Sequence, residues 1–216
     1  MLLREDAYNR FKECLFAREL QPGQFVSQRE LADLVGVSEG PMREALKRLE
    51  AEALVRLIPQ RGIQIADINV ALIRDAFGLR AALETSALKH FVRVASDAEL
   101  DALEQRFHTL REQIERTREP SLLDAALEAD IHMHQCFIDS LDNKLISEVY
   151  RINDDKVRLI RLNRRFTFDR VLPAIEEHEA ILREIRKRDA AGAVAALERH
   201  LAISLRRSLG LEEHLL

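Results

Sequence analysis

Asp130 and His134 stand four residues apart in the sequence. On an α-helix that spacing sets a carboxylate and an imidazole on one face, one turn from each other, where they can share a ligand. Two further imidazoles fall inside apolar stripes: His178 follows Ile175 and precedes Leu182 and Ile185, and His200 sits between Leu197 and Leu201. One carboxylate and three imidazoles converging in a helical bundle suit a divalent transition metal, with coordination positions left for water or a ligand oxygen. Zinc comes first, and nickel, iron or manganese are alternatives: imidazole favours the later metals, while the carboxylate keeps manganese in the set. Each histidine alone reads first as a core imidazole bonded to a neighbour, so the four together carry the metal reading. His90, His108, His132 and His214 share no inward stripe with an acidic partner and read as surface or packing residues.

The elements that position these groups are helices. From Asp67 onward no strand pattern interrupts a helical periodicity, and breaks at Ser96-Asp97, Glu119-Pro120-Ser121, Asp142-Asn143 and Asp189 to Gly192 divide it. The expected helices are 67–94, 97–117, 121–140, 143–166, 169–188 and 190–208. Asp130 and His134 belong to the stripe Leu123, Leu127, Phe137, Leu141 of the third. Two others bring more polar groups inward: Arg80 and Glu84 lie with Ile73, Phe77, Ala87 and Phe91, and Asn153 lies among Ile146, Val149, Val157 and Ile160. Polar groups facing a core are costly unless satisfied. Arg80 and Glu84 could be a simple buried pair at helical spacing. Arg80 and Asn153 could instead hold a small carboxylate effector whose oxygens complete the metal's coordination. The two accounts are compatible.

Residues 1–66 have a different texture. Ser27-Gln28-Arg29-Glu30 has the form of a capping box, opening a helix that carries Leu31 and Leu34 inward and stops at Gly36. Ser38 then caps a second helix, with Pro41 in its first turn, where a missing amide hydrogen costs nothing. Two short helices across a glycine-containing turn make a helix-turn-helix. The second directs Met42, Ala45, Leu46 and Leu49 inward and Arg43, Lys47 and Arg48 outward, as a recognition helix in a DNA major groove would. The β-like runs Leu54–Ile58 and Ile63–Ile65, joined through Pro59-Gln60-Arg61-Gly62, follow as a hairpin with Arg61 and Gly62 at the tip of a wing. The arginines alone would equally suit a solvated helix face; the order of capping box, turn, helix and wing favours double-stranded DNA.

Composition sets outer limits. The 216 residues are 47% hydrophobic, enough to fill a packed core. No apolar run approaches a membrane span and the start lacks a signal peptide, so a cytoplasmic protein with no membrane partner is expected. Cys14 and Cys136 lack pairing spacing and read as reduced, buried thiols. The net charge is -4, and residues 1–66 carry ten basic and ten acidic side chains. DNA binding must therefore depend on local placement of charge rather than on a basic domain. The expected fold is mainly α: an N-terminal winged helix-turn-helix over 1–66 and a C-terminal all-α helical bundle over 67–216.

The residues also carry a family resemblance. Pro22-Gly23, Ser27 to Ala32, Gly36-Val37-Ser38, Pro41 to Leu46, Leu49 and Arg61-Gly62 resemble the winged helix of GntR-family regulators. That resemblance implies DNA contacts by Arg29, Ser38, Arg43 and Gly62. Glu39 departs from it, because many members carry arginine there; an acid repels phosphate and can accept from a cytosine amine. The later half, through Leu79-Arg80-x-x-Leu83-Glu84, Asp130-x-x-x-His134 with Asn143, Glu177-His178 and His200, resembles the FCD effector domain of the FadR-type subgroup. It implies a metal on Asp130, His134, His178 and His200, a small organic acid effector and a homodimer. The expected function is a transcriptional regulator, a repressor by preference, rather than an enzyme. The alternative is a metal-dependent enzyme using the same Asp/His set, which would leave the winged helix unexplained and has no separate general base in a recognisable motif.

Overall fold

In the computed structural model the described residues are 3–162 and 167–211. They form two compact units, drawn from Met1–Leu72 with Asp155–Arg164 and from Ile73–Asp154 with Arg165–Leu216.

The first unit opens with α1 (Leu3–Phe16), which buries Ala7, Tyr8, Phe11 and Leu15 at helical spacing. No single motif announces this helix in the sequence. After β1 (Phe25–Val26), the Ser27 hydroxyl accepts from the Glu30 amide at 3.1 Å while the Glu30 carboxylate accepts from the Ser27 amide at 2.7 Å. This capping box starts α2 (Gln28–Val35), which Gly36 ends in the left-handed conformation at φ 70°. Leu31, Ala32 and Val35 face inward, so Leu34, on the opposite edge of a two-turn helix, is exposed, contrary to expectation. In α3 (Glu39–Ala51) the buried stripe is Met42, Ala45, Leu46 and Leu49, as expected. Strands β2 (Val55–Ile58) and β3 (Gly62–Ile65) pair antiparallel from Val55↔Ile65 to Ile58↔Gly62, and β1 adds to the far edge of β3. The wing is thus a three-stranded sheet, not a lone hairpin. Gly62 sits at φ +95°, and a β-carbon there would lie 2.8 Å from the Val26 carbonyl oxygen, so no other residue fits between β1 and the turn.

The second unit is all α. Its helices are α4 (Val70–Val94), α5 (Asp97–Thr117), α6 (Ser121–Asp139), α7 (Lys144–Leu162), α8 (Phe168–Arg186) and α9 (Ala190–Leu209). The last residues of α7 belong to the first unit: Leu159 joins the core of α1 and α3, and the Lys12 ammonium meets the Asp155 carboxylate at 2.6 Å. Helix α4 begins three residues later than expected, because the Asn69 side chain accepts from the Leu72 amide and caps the turn. The expected extension of α7 to 166, and His214, fall outside the described residues. Val149 is exposed rather than inward, since the buried stripe of α7 runs through Tyr150, Asn153, Val157 and Ile160. Helix α8 packs against α5, α6 and α9 around a core that includes Phe91, Phe107, Phe137 and Leu182. Cys14 and Cys136 are free and half-buried, so the expectation of fully buried thiols is only partly met. Among the described residues no helix is long and apolar enough to cross a membrane.

Candidate metal centre and nucleic-acid interface

Three helices bring Asp130 and His134 (α6), His178 (α8) and His200 (α9) to one point in the second unit. All four are buried, and one ligand atom from each lies within 4.8 Å of the others. The Asp130 Oδ1 is 3.0 Å from His178 Nε2, 3.9 Å from His134 Nε2 and 4.0 Å from His200 Nε2. The three rings are mutual neighbours, with centroids 4.4 to 5.5 Å apart. Ligands about 2.0–2.1 Å from a tetrahedral ion stand about 3.3 Å from one another, so a small contraction would seat a metal. The nitrogens themselves fit this reading: His134 Nε2, His178 Nδ1 and Nε2, and His200 Nε2 are buried without a hydrogen-bond partner. Orphaned buried nitrogens in one cluster call for an explanation, and a metal supplies one.

Electrostatics keep those lone pairs available. Burial, reinforced by the charge of Arg80, lowers the His134 pKa to about 4, although Glu84 pulls the other way. Burial, followed by the neighbouring His178 and His134, holds His200 well below the usual imidazole range. Both rings are neutral near pH 7, the form that binds metal.

Behind the candidate ligands stands a second row of charge, of which the sequence named the buried Arg80–Glu84 pair but not the contacts to histidine. Glu84 Oε2 faces His134 Nδ1 at 2.7 Å, while its Oε1 accepts from Arg80 Nε at 2.6 Å and from the Tyr150 hydroxyl at 2.7 Å. Burial would raise the Glu84 pKa, but Arg80 and then His134 bring it down to about 2, so it is ionised. Glu177 Oε2 faces His200 Nδ1 at 2.8 Å, and its Oε1 accepts from Arg207 Nη2 at 2.9 Å. The sequence did carry faint signals. Glu84, on the inward stripe of α4, and Glu177, directly before a candidate ligand, both lie in stretches that carry the family resemblance, and Tyr150 lies one turn before Asn153.

Arg80, 2% exposed, is tied to Glu84 on one edge, but its Nη1 is buried without a partner. It shares Glu84 with His134, which places it next to one of the candidate ligands. Asn153 is buried and donates one amide proton to the Ala76 carbonyl at 2.9 Å, linking α7 to α4. Arg80 and Asn153 are thus both buried, with Asn153 bound to the α4 backbone.

The candidate DNA face has the opposite character. Arg43 is exposed on α3 with no hydrogen-bond or ion-pair partner among the described residues. Arg29 is exposed on α2 and reaches Asp33 only at 4.0 Å. Ser38 takes the N-cap position of α3 with no side-chain cap bond, leaving its hydroxyl open. Lys47 is exposed but bonded to Glu44 at 2.8 Å. Arg61 projects at the wing turn beside Gly62, with its guanidinium 6.0 Å from the Phe25 ring. Arg48, expected outward, is drawn back: it bonds Glu52 and Glu5 and stacks 3.8 Å over the Tyr8 ring. It is a structural cation of the α1–α3 contact.

A winged helix-turn-helix followed by a helical domain with a buried ligand-type centre defines a DNA-binding regulator with a sensory domain. Known proteins agree. The family profile described as FCD domain matches residues 75–203, and that described as bacterial regulatory proteins, gntR family, matches residues 3–65. The HTH-type transcriptional repressor RspR of Escherichia coli (strain K12) is 30% identical over 203 residues, 93% of this chain and 82% of RspR. Among solved structures, E. coli McbR/YncC aligns with a TM-score of 0.78 at 19% identity, over 97% of this chain and 98% of that one. The Zn2+-bound FCD domain of TM0439 aligns with a TM-score of 0.54 at 22% identity, over 67% of this chain and 96% of that one. At such identities the structural likeness speaks for fold. The chain belongs to the GntR family of bacterial transcriptional regulators and carries an FCD domain; it is a regulator of transcription and not an enzyme.

Proposed function

We propose that the chain is a ligand-responsive repressor whose homodimer binds a near-palindromic operator in the cytoplasm and leaves it when a small carboxylate occupies the helical domain. Residues 1–66 form the DNA-binding segment and 67–216 the effector segment. One observation carries the reading: four potential metal-ligand atoms lie within 4.8 Å of one another, with His134 Nε2 and His200 Nε2 unpartnered, near a buried arginine whose Nη1 has no partner. Asp130, His134, His178 and His200 would hold the metal, zinc first, which when bound supplies a Lewis-acidic centre for a ligand oxygen. Support comes from the zinc reported for the TM0439 domain of the same fold. Arg80 Nη1 faces no partner and would receive the effector's carboxylate. Asn153 keeps one amide proton and its carbonyl oxygen for the same ligand. At the operator, Arg43 would read a guanine edge, Arg29, Ser38 and Lys47 would meet phosphates, and Arg61 with Gly62 would bring the wing against the backbone. The repressor named RspR supports the direction of regulation.

Release requires the effector to favour one arrangement of the protein over the other, since tight binding alone shifts nothing. The test uses the full-length zinc-loaded chain and an operator selected from random DNA. Small carboxylic acids are screened for binding by calorimetry, and each binder is then titrated into a gel-shift assay. The expected result is at least a tenfold loss of operator affinity with one of them. A binder at the centre that leaves operator affinity unchanged would overturn the coupling. Unfolding on chelation, with no acid binding, would make the metal structural.

A further inference from the structure

The same three-part chain occurs twice around the candidate centre. On one side Arg80 Nε and Glu84 Oε1 are 2.6 Å apart, and Glu84 Oε2 meets His134 Nδ1 at 2.7 Å. On the other, Arg207 Nη2 and Glu177 Oε1 are 2.9 Å apart, and Glu177 Oε2 meets His200 Nδ1 at 2.8 Å. Four different helices supply the parts, since Arg80 and Glu84 lie on α4, His134 on α6, Glu177 on α8, and His200 and Arg207 on α9. In each case an arginine occupies one carboxylate oxygen and leaves the other facing an imidazole Nδ1. An ionised carboxylate can only accept, so that nitrogen must carry the proton. Neutral imidazole has one N–H, and with it on Nδ1 the lone pair falls on Nε2. Those Nε2 atoms are the ones left buried and unpartnered beside Asp130. The third imidazole differs: His178 Nδ1 is buried without a partner, and its ring lies 4.9 Å from Phe107.

We propose that Glu84 and Glu177 are positioning residues that fix the Nδ1–H tautomer of His134 and His200, so that both present a bare Nε2 to the metal, while His178 has no such carboxylate at its Nδ1. Arg80 and Arg207 hold the two carboxylates in orientation. Such outer partners ordinarily change metal affinity by about 10- to 100-fold when removed. The inference rests on the metal reading above and adds which residues make the site competent.

The distinguishing variant is E84Q, which keeps the shape and replaces one oxygen by NH2. Arg80 Nε and the Tyr150 hydroxyl both donate to Oε1. The glutamine oxygen therefore stays with them and its NH2 turns to His134 Nδ1. His134 must then accept at Nδ1 and carry its proton on Nε2, where it blocks coordination. E177Q makes the same change at His200, and His178 is the internal control. The full chain is purified metal-free with 15N-labelled histidine, tautomers are read from the ring-nitrogen shifts, and zinc affinity is measured by competition with a chelator. Expected are native-like circular dichroism, a His134 signal moved from the Nδ1–H to the Nε2–H pattern in E84Q, an unmoved His178, and zinc affinity lower by about 10- to 100-fold. Zinc affinity within threefold of wild type overturns the proposal, as does weaker binding with the His134 tautomer unmoved, which would reduce Glu84 to charge or packing. Should E84Q fail to fold, E177Q decides by the same two readings at His200. A wild-type chain that binds no zinc overturns the metal site itself, and this proposal with it.

Discussion

Arg43 and Arg80 carry the same side chain into opposite settings. Arg43 stands in solvent on α3 without a partner among the described residues, whereas Arg80 is buried in the helical unit, bonded to Glu84, which also holds His134 and Tyr150. An exposed cation is free to move and is screened by salt, so it suits a polyanion whose affinity comes from many replaceable contacts. A buried cation needs a counter-charge, and the bond to Glu84 fixes the Arg80 geometry before a ligand arrives. On the proposed reading the winged helix would recognise by availability and the helical domain by preorganisation. Salt and pH should therefore act on different halves of the molecule.

The largest test of that contrast is removal of ligands from the preorganised side. The D130A/H134A double variant should fall from near-stoichiometric metal to almost none in elemental analysis, while operator affinity without effector stays within a few-fold of wild type. A collapse of DNA binding along with the metal would break the division of labour. Acid comes next. The His134 pKa falls from 6.5 to about 4 on folding, so between those values the unfolded chain binds more protons than the native one. The stabilisation is complete above pH 6.5 and is lost as pH falls towards 4, and at about 1.4 kcal/mol per tenfold it amounts to about 3 kcal/mol. Glu84 acts in the same direction lower down, between 4.5 and about 2. Urea titrations of the metal-free protein at pH 7 and pH 4 should show this loss, and H134Q should flatten it. A stability unchanged across that range would mean that His134 is not buried in neutral form.

The two halves differed equally in how far the sequence disclosed them. The winged helix was legible because its signals are local: Ser27 and Glu30 close a box within four residues, and Gly36 and Gly62 stand where the backbone turns left-handed. What stayed hidden there was tertiary, namely α1, β1 and the withdrawal of Arg48 onto Tyr8 and Glu52. In the helical unit periodicity picked out the four candidate ligands that the structure brings together, since each lies on a buried stripe. It could not find which carboxylate faces which imidazole. Glu84 meets a histidine 50 positions away, and Glu177 bonds His200 rather than its chain neighbour His178. A side chain's stripe is a property of its own helix, but its partner depends on how helices pack.

On the exposed side, Arg43→Ala should weaken operator binding by about 1–3 kcal/mol and relax preference at one base pair per half-site, with zinc affinity unchanged. An equal loss on all sequences would make Arg43 a phosphate contact.

The smallest effect is the most particular to this chain. Glu39, exposed at the first turn of α3, is an acid on the face proposed to meet DNA. As a helix N-terminal acid it helps the macrodipole by about 0.3–1 kcal/mol, which is reason enough for its presence. Against DNA it has two opposed effects: it repels every phosphate nearby, and it can accept from the exocyclic amine of one cytosine. Glu39→Gln separates them, since the amide removes the charge and can still bond a base. Affinity for random DNA should rise a few-fold, by about 1 kcal/mol or less, and the salt dependence should steepen slightly. If the carboxylate reads cytosine, the selected operator should lose its preference for that base at one position in each half-site. A uniform gain with the preference intact would leave Glu39 as a first-turn acid that tempers binding to DNA at large.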